Sequence, residues 1–322
     1  MKIGSKKKTL ELIEQFDSIV IFHHIRPDGD CLGSQFGLQE LIKLNYPNKQ
    51  VFAVGDSKNS FKFLDLQHDS IPSKEILENS LAIIVDANFK ERIEFAYLLN
   101  DYKFKAILRI DHHPNEDDLN ATHRWVDSSY IASAEQIADL AKYAKWQVNQ
   151  RAANLIYLGI YTDSGRFLFS NTSSRTLELS AMLWKKGADK KLIHTKLSAK
   201  SLSEIEFETY VYSKIQKTKN VIYFVLNQEE LKKLNKTSNS ASRPNLIANI
   251  DEYKIWISFV QEENTNWRVE FRSNGPIVRN VAIKWNGGGH ELASGAIIFD
   301  EANIKKVVKD CQEEYENWKV NN

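Results

Sequence analysis

The sequence is poor in cysteine. Cys31 and Cys311 are the only two in 322 residues, and they lie far apart in the chain. This count excludes a disulfide framework and gives no indication of a zinc site built from thiolates. We therefore expect two buried free thiols and a reducing location, the cytoplasm.

Long apolar runs and an excess of one charge are also absent. No run approaches the roughly 20 apolar residues that a membrane-spanning helix needs. The basic start of the chain leads into Glu11 and Glu14 instead of the apolar core of a signal peptide. Lys and Arg number 43 against 42 Asp and Glu, so the chain lacks the basic charge typical of duplex-binding proteins. We expect neither a membrane nor duplex DNA as a partner.

Apolar runs alternate with helical patterns in the first part of the chain. Four short runs rich in β-branched residues are typical of buried strands: 19–22, 51–54, 81–85 and 106–110. Strands separated by amphipathic helices predict an α/β fold with a mostly parallel sheet.

The chain is long enough for two domains. We assign residues 1–187 to the α/β domain. Residues 188–216 are polar and rich in Lys and Glu, and they predict a helical connector. Residues 217–322 combine three strand patterns with helices, and predict a smaller α+β domain.

The segment HHIRPDGDCLGS, residues 23–34, concentrates groups that bind metals. His24, Asp28 and Asp30 follow the first predicted strand, and the ligand crevice of an open α/β sheet lies at the carboxyl ends of its strands. We expect Gly29 to let the backbone bend so that both acids face one centre. Mixed imidazole and carboxylate ligands suit Mn²⁺, Fe²⁺ or Zn²⁺ better than Ca²⁺.

Further acids and imidazoles follow other predicted elements. Asp86 ends the third strand, Asp111-His112-His113 ends the fourth, and Asp163 follows a helix in the segment TDSG. Each motif alone is more typical of a solvated loop, but that interpretation requires a coincidence at every position. Their recurrence at strand ends predicts one site at the carboxyl edge of the sheet.

Six candidate ligands are too many for one ion. They predict two ions that share a bridging carboxylate, for which the central acid Asp86 is our candidate. Such sites favour phosphoester hydrolysis, because one ion generates hydroxide from water while both stabilise the phosphoryl oxygens. Adjacent imidazoles cannot easily share one direction, so we expect one of His112 and His113 to bind metal and the other to face the substrate.

A second constellation lies in the C-terminal domain. Gly287-Gly288-Gly289-His290 places an imidazole after three residues without side chains. A glycine triplet alone is more often a flexible turn, but successive free amides also make an anion-binding nest. Together with Arg272-Ser273, the segment predicts a clamp for a phosphate or a nucleotide.

The chain resembles the DHH superfamily of phosphoesterases. The resemblance rests on HxxPDxD at residues 24–30, the lone acid Asp86, Asp111-His112-His113, and Asp163 in TDSG. Arg272-Ser273 and GGGH further resemble the DHH-associated C-terminal domain of the branch that degrades very short RNA and dephosphorylates 3′-phosphoadenosine 5′-phosphate (pAp). Two departures are mild, since Ser164 and Ala87 replace residues that are not ligands.

The resemblance implies a hydrolase with two Mn²⁺ ions. It implies six metal ligands: His24, Asp28, Asp30, Asp86, His112 and Asp163. His113, touching the scissile phosphate, and Asp111 would be catalytic. The implied substrate-binding residues are Arg272, Ser273, Gly287, Gly288, Gly289 and His290.

The resemblance also narrows the substrate class. Soluble pyrophosphatases of the superfamily have a different C-terminal domain, and the exonucleases of long DNA add a domain for which this chain has no room. Exonucleolytic hydrolysis of very short RNA to nucleoside monophosphates, and of pAp to AMP and phosphate, is the expected activity. A phosphodiesterase acting on cyclic di-AMP or linear pApA is the alternative. A non-catalytic nucleotide sensor would be expected to have lost a ligand, whereas this chain keeps all six, and homodimer formation is left open.

We predict that phosphoester hydrolysis by this protein requires an added divalent ion and is faster with Mn²⁺ than with Mg²⁺. The reason is that the imidazoles of His24 and His112 are borderline ligands, which Mg²⁺ uses poorly. The measurement is the hydrolysis rate after chelation and after each ion is restored. Full turnover after exhaustive chelation would contradict the prediction.

Overall fold

The computed structural model describes residues 2–113 and 116–320. Contacts along the chain divide it into two units, one ending at Ala199 and the other beginning at Lys200. The division falls within the stretch predicted as a connector, whose residues form two helices. Each unit has its own sheet and its own core.

The N-terminal unit alternates strands and helices. Its strands are β1 (Lys2–Ile3), β2 (Ser18–Phe22), β3 (Gln50–Ala53), β4 (Leu81–Val85), β5 (Ala106–Asp111) and β6 (His123–Asp127). Its helices are α1 (Lys6–Gln15), α2 (Gly29–Asn45), α3 (Lys74–Asn79), α4 (Tyr97–Asp101), α5 (Ser133–Ala144), α6 (Gln150–Asp163), α7 (Ser174–Lys185) and α8 (Lys190–Ser198).

The strands of this unit form one sheet in the order β1-β6-β5-β4-β2-β3. Every pair is parallel except β1 with β6. The residues of β4 are buried throughout, because helices or loops cover both faces, and this explains the continuous apolar run LAIIV. The predicted α/β fold with a mostly parallel sheet is confirmed. The short β1 and the more polar β6 were not predicted.

Helix α2 approaches α6 very closely. Gly29, Gly33 and Gly37, spaced four residues apart, lie on one face of α2. A Cβ atom on Gly33 would lie 2.5 Å from the carbonyl oxygen of Leu155 in α6. A Cβ atom on Gly29 would lie 2.4 Å from Oγ1 of Thr162. The missing side chains therefore set the distance between the two helices.

The role predicted for Gly29 is wrong. Asp28, not Gly29, makes the turn: it is the N-cap of α2, with φ −113° and ψ −170°. Gly29 is the first helical residue, and a side chain there would collide with Thr162. It is needed for close packing and not for a bend.

The C-terminal unit is a second mixed α/β structure. Its strands are β7 (Gln216–Lys217), β8 (Val221–Leu226), β9 (Ile255–Gln261), β10 (Trp267–Ser273), β11 (Gly288–His290) and β12 (Ala293–Ile298). Its helices are α9 (Leu202–Ser213), α10 (Gln228–Lys233), α11 (Ser238–Ala241), α12 (Val278–Lys284) and α13 (Asn303–Val320). The sheet order is β11-β12-β10-β9-β8-β7, and only β8 and β9 pair in parallel.

The C-terminal sheet contains strands that the sequence patterns did not predict. The last two strands of the C-terminal sheet, β11 and β12, were not predicted, because their glycines hide the strand pattern.

Within the described residues, no helix combines the length and the apolar composition that crossing a bilayer requires.

We predict that Gly33→Ala lowers the melting temperature. Alanine is a better helix former by about 1 kcal/mol, but overpacking a tight contact costs about 1–3 kcal/mol, and here the nearest atoms belong to the backbone of α6. Gly37→Ala is the matched control, since its Cβ would lie 2.6 Å from a side-chain atom, Cγ1 of Ile156, and not against the backbone of α6. Thermal unfolding of both variants is the measurement. A Gly33→Ala protein at least as stable as Gly37→Ala would contradict close packing as the reason for Gly33.

Candidate active site

His24 and Asp28 begin the site just beyond β2. His24 Nδ1 donates to the carbonyl oxygen of Ile25 at 2.7 Å, so Nε2 is the nitrogen left for another partner. Nε2 lies 3.4 Å from a carboxylate oxygen of Asp28 and 3.4 Å from one of Asp86. The other oxygen of Asp28 accepts from the amides at the start of α2, and this cap orients the carboxylate.

Asp30 is held by a helix more than a hundred residues away. Its two oxygens accept from the amides of Ser133 and Ala134, at 2.7 and 2.8 Å. These are the first residues of α5, whose own N-cap residue, Ala132, has no side chain that can accept a hydrogen bond. Asp30 therefore caps α5, and this fixes a fully buried carboxylate against the sheet edge.

Asp86 lies at the centre of the cluster. It directly follows β4 and has a left-handed backbone, with φ of 57°, which Asp tolerates better than most residues. Its oxygens lie 3.4 Å from the nearest ring nitrogen of each of three histidines, His24, His112 and His113. The hydroxyl of Ser133 donates to Asp86 Oδ1 at 3.2 Å. This central position suits the bridging role predicted for Asp86.

His112 joins Asp30, Asp86 and Asp163. Its Nε2 lies 3.8 Å from Asp30 and 3.4 Å from each of Asp86 and Asp163. Although buried, Nε2 has no hydrogen-bond partner among the described residues. A buried nitrogen surrounded by carboxylate oxygens, yet bonded to none of them, fits a ligand of a cation.

His113 is hydrogen-bonded to Asp111, which in turn binds Arg109. Its Nδ1 and its amide both contact Asp111 Oδ1, at 2.8 and 2.9 Å. Arg109 binds the other oxygen of Asp111 through Nε and Nη2, at 3.0 and 2.5 Å. Asp111 is fully buried, so it cannot reach a substrate. It positions His113 through their hydrogen bonds, and the catalytic role predicted for Asp111 itself stays a prediction.

The support of Asp111 continues away from the site. Arg109 Nη1 donates to Asp117 at 3.0 Å, and Asp117 accepts two further hydrogen bonds from Arg124, at 2.7 and 2.8 Å. Arg109 is fully buried, so its charge depends on these two carboxylates. Arg109, Asp117 and Arg124 were not recognised in the sequence, although a charged residue inside the apolar run 106–110 was a signal for Arg109.

The carboxylates of the cluster repel one another. Burial, together with the charge of Asp86, raises the pKa of Asp163 to about 7. Burial and the charges of Asp86 and Asp163 raise the pKa of Asp30 well above its usual value. Burial also opposes ionisation of Asp86, but the close approach of the rings of His112, His113 and His24 outweighs burial and lowers the pKa of Asp86. Such crowding of negative charge is relieved by cations.

The neighbouring carboxylates also raise the pKa values of His24 and His113. Burial alone would lower the pKa of His24, but hydrogen bonds with Asp28 and Asp86 overcome it and raise the pKa. Burial likewise opposes charge on His113, whose hydrogen bonds with Asp111 and Asp86 raise its pKa to about 10.

The donor atoms form three groups in which all members lie within 4.8 Å of one another. Each group has at least three possible metal ligands. The groups are His24, Asp28 and Cys31; Asp86, His112 and His113; and Asp30, His112 and Asp163. The six predicted ligands are thus brought together, and the residues present fit a centre for divalent cations. Cys31 belongs to the first of the three groups, although the low number of cysteines gave no indication that it binds metal.

Comparison with known proteins agrees with this geometry. The DHH family, N-terminal domain, matches residues 18–160, and the DHHA1 domain matches residues 218–317. The "Bifunctional oligoribonuclease and PAP phosphatase NrnA" of Mycoplasma pneumoniae is 52% identical over 97% of each chain. The chain belongs to the DHH family.

More distantly related proteins also match nearly the whole chain. The Bacillus subtilis protein with the same name is 34% identical over 95% of this DHH chain and 97% of its own. The crystal structure of an exopolyphosphatase-related protein from Bacteroides fragilis aligns with a TM-score of 0.81 at 22% identity, covering 98% of this chain and 96% of its own. That structure shows that the fold is shared.

The predicted substrate residues of this DHH protein lie in the C-terminal unit. Arg272 is partly buried in β10 and donates to Glu270 and to the carbonyl oxygens of Phe271 and Ser294. The hydroxyl of Ser273 is buried and donates to the carbonyl oxygen of Pro276 at 2.6 Å, so it supports the turn after β10.

The prediction of successive free amides in GGGH is wrong. The amide of Gly287 donates to the carbonyl oxygen of Ala282 and ends α12. Residues 288–290 form β11, which pairs with β12 at the edge of the sheet. Gly288 and His290 are exposed, and no atom lies within 4 Å of a Cβ atom built on Gly288. The segment is therefore an open strand edge and not a nest.

We predict that Asp86→Asn reduces the amount of Mn²⁺ bound, because it removes the charge at the centre of all three histidines while keeping size and tolerance of a left-handed backbone. Asp65→Asn is the matched control: Asp65 also has a positive φ, of 48°, but is exposed and lies outside the three groups. Equilibrium dialysis with elemental analysis gives the stoichiometry. Unchanged binding in Asp86→Asn would refute the central role of this residue.

Proposed function

We propose that this protein is a Mn²⁺-dependent phosphoesterase that hydrolyses very short oligoribonucleotides to nucleoside monophosphates and also converts pAp to AMP and phosphate. The observation that carries the proposal is the convergence of His24, Asp28, Asp30, Asp86, His112 and Asp163 around one buried centre at the carboxyl edge of the sheet. The substrate class is supported by the name of relatives that are 52% and 50% identical over nearly the whole chain.

The six residues would hold two divalent ions, with Asp86 shared between them. When bound, these ions would supply Lewis acidity to the phosphoryl oxygens and a water of lowered pKa. The chain itself orients the ligands: the α2 cap aims Asp28, and the first amides of α5 aim Asp30. Preorganised ligands need no rearrangement when the substrate arrives.

His113 is the group we assign to the substrate. Asp111 occupies Nδ1, which leaves Nε2 as the nitrogen that donates a hydrogen bond or a proton to the substrate's phosphate or its leaving oxygen. The side chain of His113 is 38% exposed, whereas that of Asp111 is fully buried, so only His113 can be reached from solvent. Arg109 and Asp117 keep Asp111 in place behind it.

We assign the C-terminal unit to recognition of the substrate beyond the scissile phosphate. Arg272 supplies a positive charge, and His290 supplies an exposed imidazole on the open edge of β11. Ser273, Gly287, Gly288 and Gly289 are included as residues that shape this edge.

A second candidate is hydrolysis of cyclic di-AMP or of linear pApA. It is favoured by a distant relative, the "Cyclic-di-AMP phosphodiesterase GdpP" of Bacillus subtilis, which is 24% identical over 87% of this chain but only 45% of its own length.

The test is a substrate panel with Mn²⁺: RNA dinucleotides to pentanucleotides, pAp, cyclic di-AMP, pApA and pyrophosphate. We expect the highest kcat/KM values for short RNA and pAp. Higher values for cyclic di-AMP would select the second candidate. Absence of turnover with every phosphoester, by protein shown to bind the metal, would overturn both.

We further predict that His113→Ala keeps its bound metal but loses turnover by about 10² to 10⁴, because general acid catalysis typically contributes that much. The matched control is His123→Ala. His123 is the first residue of β6, which runs parallel to β5, so it lies at the opposite edge of the sheet. Metal content and kcat of both variants are the measurements. Loss of metal from His113→Ala would instead make His113 a ligand.

A further inference from the structure

Cys31 lies at the edge of the proposed metal centre. It is in the first turn of α2, next to Asp30 and three residues after Asp28, and its side chain is fully buried. Its sulfur contacts the carbonyl oxygen of Asp28 at 3.7 Å. The sulfur, a ring nitrogen of His24 and a carboxylate oxygen of Asp28 all lie within 4.8 Å of one another.

The upper limit of these separations, 4.8 Å, is slightly larger than the distance between two ligands of one ion. Sulfur and nitrogen bind Zn²⁺ at about 2.3 and 2.0–2.1 Å, so two ligands of one ion are separated by less than about 4.5 Å. Small side-chain adjustments would therefore bring all three atoms onto the same cation. The alternative is that Cys31 only packs in the core, to which it also belongs.

Cys311 shows what purely structural burial looks like in this chain. It is also fully buried, but it lies in α13 within the core of the C-terminal unit. It belongs to none of the three donor groups found among residues 2–113 and 116–320. The two thiols thus share burial and differ in their neighbours.

We propose that Cys31 is a metal ligand, and that its sulfur gives the His24–Asp28 position of the centre a higher affinity for softer divalent ions, such as Zn²⁺ and Cd²⁺, than the second position has. The inference rests on the metal centre of the proposed function and adds to it. The second position, formed by Asp30, His112 and Asp163, has only nitrogen and oxygen donors. The two positions therefore differ in softness, and thiolate selects softer ions than carboxylate does.

The binding step needs no oxidant or reductant. The S–H bond of Cys31 breaks, the sulfur keeps the electron pair and donates it to the cation, and the proton is released to solvent. In the absence of a cation, burial favours the neutral thiol. Coordination thus exchanges a proton for a metal ion at the same sulfur.

The experiment uses Cd²⁺ as the probe, because a cadmium–thiolate bond gives an ultraviolet charge-transfer band that nitrogen and oxygen ligands do not give. Metal-free full-length protein, reduced with a phosphine and kept under argon, is titrated with CdCl₂ while the absorbance and the bound Cd²⁺ are recorded. The variants are Cys31→Ser, Cys31→Ala and Cys311→Ser. Circular dichroism establishes that each is folded.

We expect the band in the wild type and in Cys311→Ser, where Cys31 is the only thiol left, and its loss in both Cys31 variants. One Cd²⁺ should also bind to those variants more weakly, by about tenfold or more, since loss of even a supporting partner changes metal affinity by that much. Affinity at the other position should be unchanged.

Two outcomes would overturn the inference. One is Cys311→Ser protein that binds Cd²⁺ without the band. The other is a band that persists in Cys31→Ala. Because Cys311→Ser keeps Cys31 in place, the first outcome can be read even if the Cys31 variants do not fold. If the wild type binds neither Cd²⁺ nor Mn²⁺, the proposed function itself fails, which separates the two conclusions.

Discussion

The close contact between α2 and α6 is the constraint on which the rest of the site depends. Asp28 and Asp30 lie at the start of α2, and Asp163 is the last residue of α6. Glycines on the facing side of α2 allow the backbones to approach until an added Cβ would collide with a carbonyl oxygen. This approach lets carboxylates more than 130 positions apart in sequence face the same histidine, His112.

The second constraint on the N-terminal unit is that several carboxylates are buried close together. Burying several carboxylates together is unfavourable unless something positive compensates for them. The first amides of α5 compensate Asp30, and the guanidinium of Arg109 compensates Asp111. Asp86 faces the rings of three histidines and the hydroxyl of Ser133, with the carboxylates of Asp30 and Asp163 close enough to repel it. Negative charge is thus concentrated where the cations are proposed to bind, and the site's affinity for cations follows from this uneven distribution.

The two positions of the centre need not be equivalent. One lies between β2 and the start of α2, where Cys31 supplies sulfur, and the other lies where α2, α6 and the end of β5 meet. A centre with two different donor sets can hold two different ions, so the metal content of the protein would depend on which ions are available. This consequence follows from one residue in the first turn of one helix.

The sequence by itself determined the α/β fold, four of the parallel strands and the six proposed ligands, because periodicity and the order of residues along a strand are local properties. It also led to two errors, the bend at Gly29 and the free amides at Gly287, since a glycine's role depends on what lies opposite it. Only the tertiary structure decided that Asp111 supports His113, that Arg109 and Asp117 support Asp111, and that Cys31 lies beside His24. These relationships join residues through contacts across strands and helices. Sequence spacing does not encode them, because packing distances are set by the side chains of both partners.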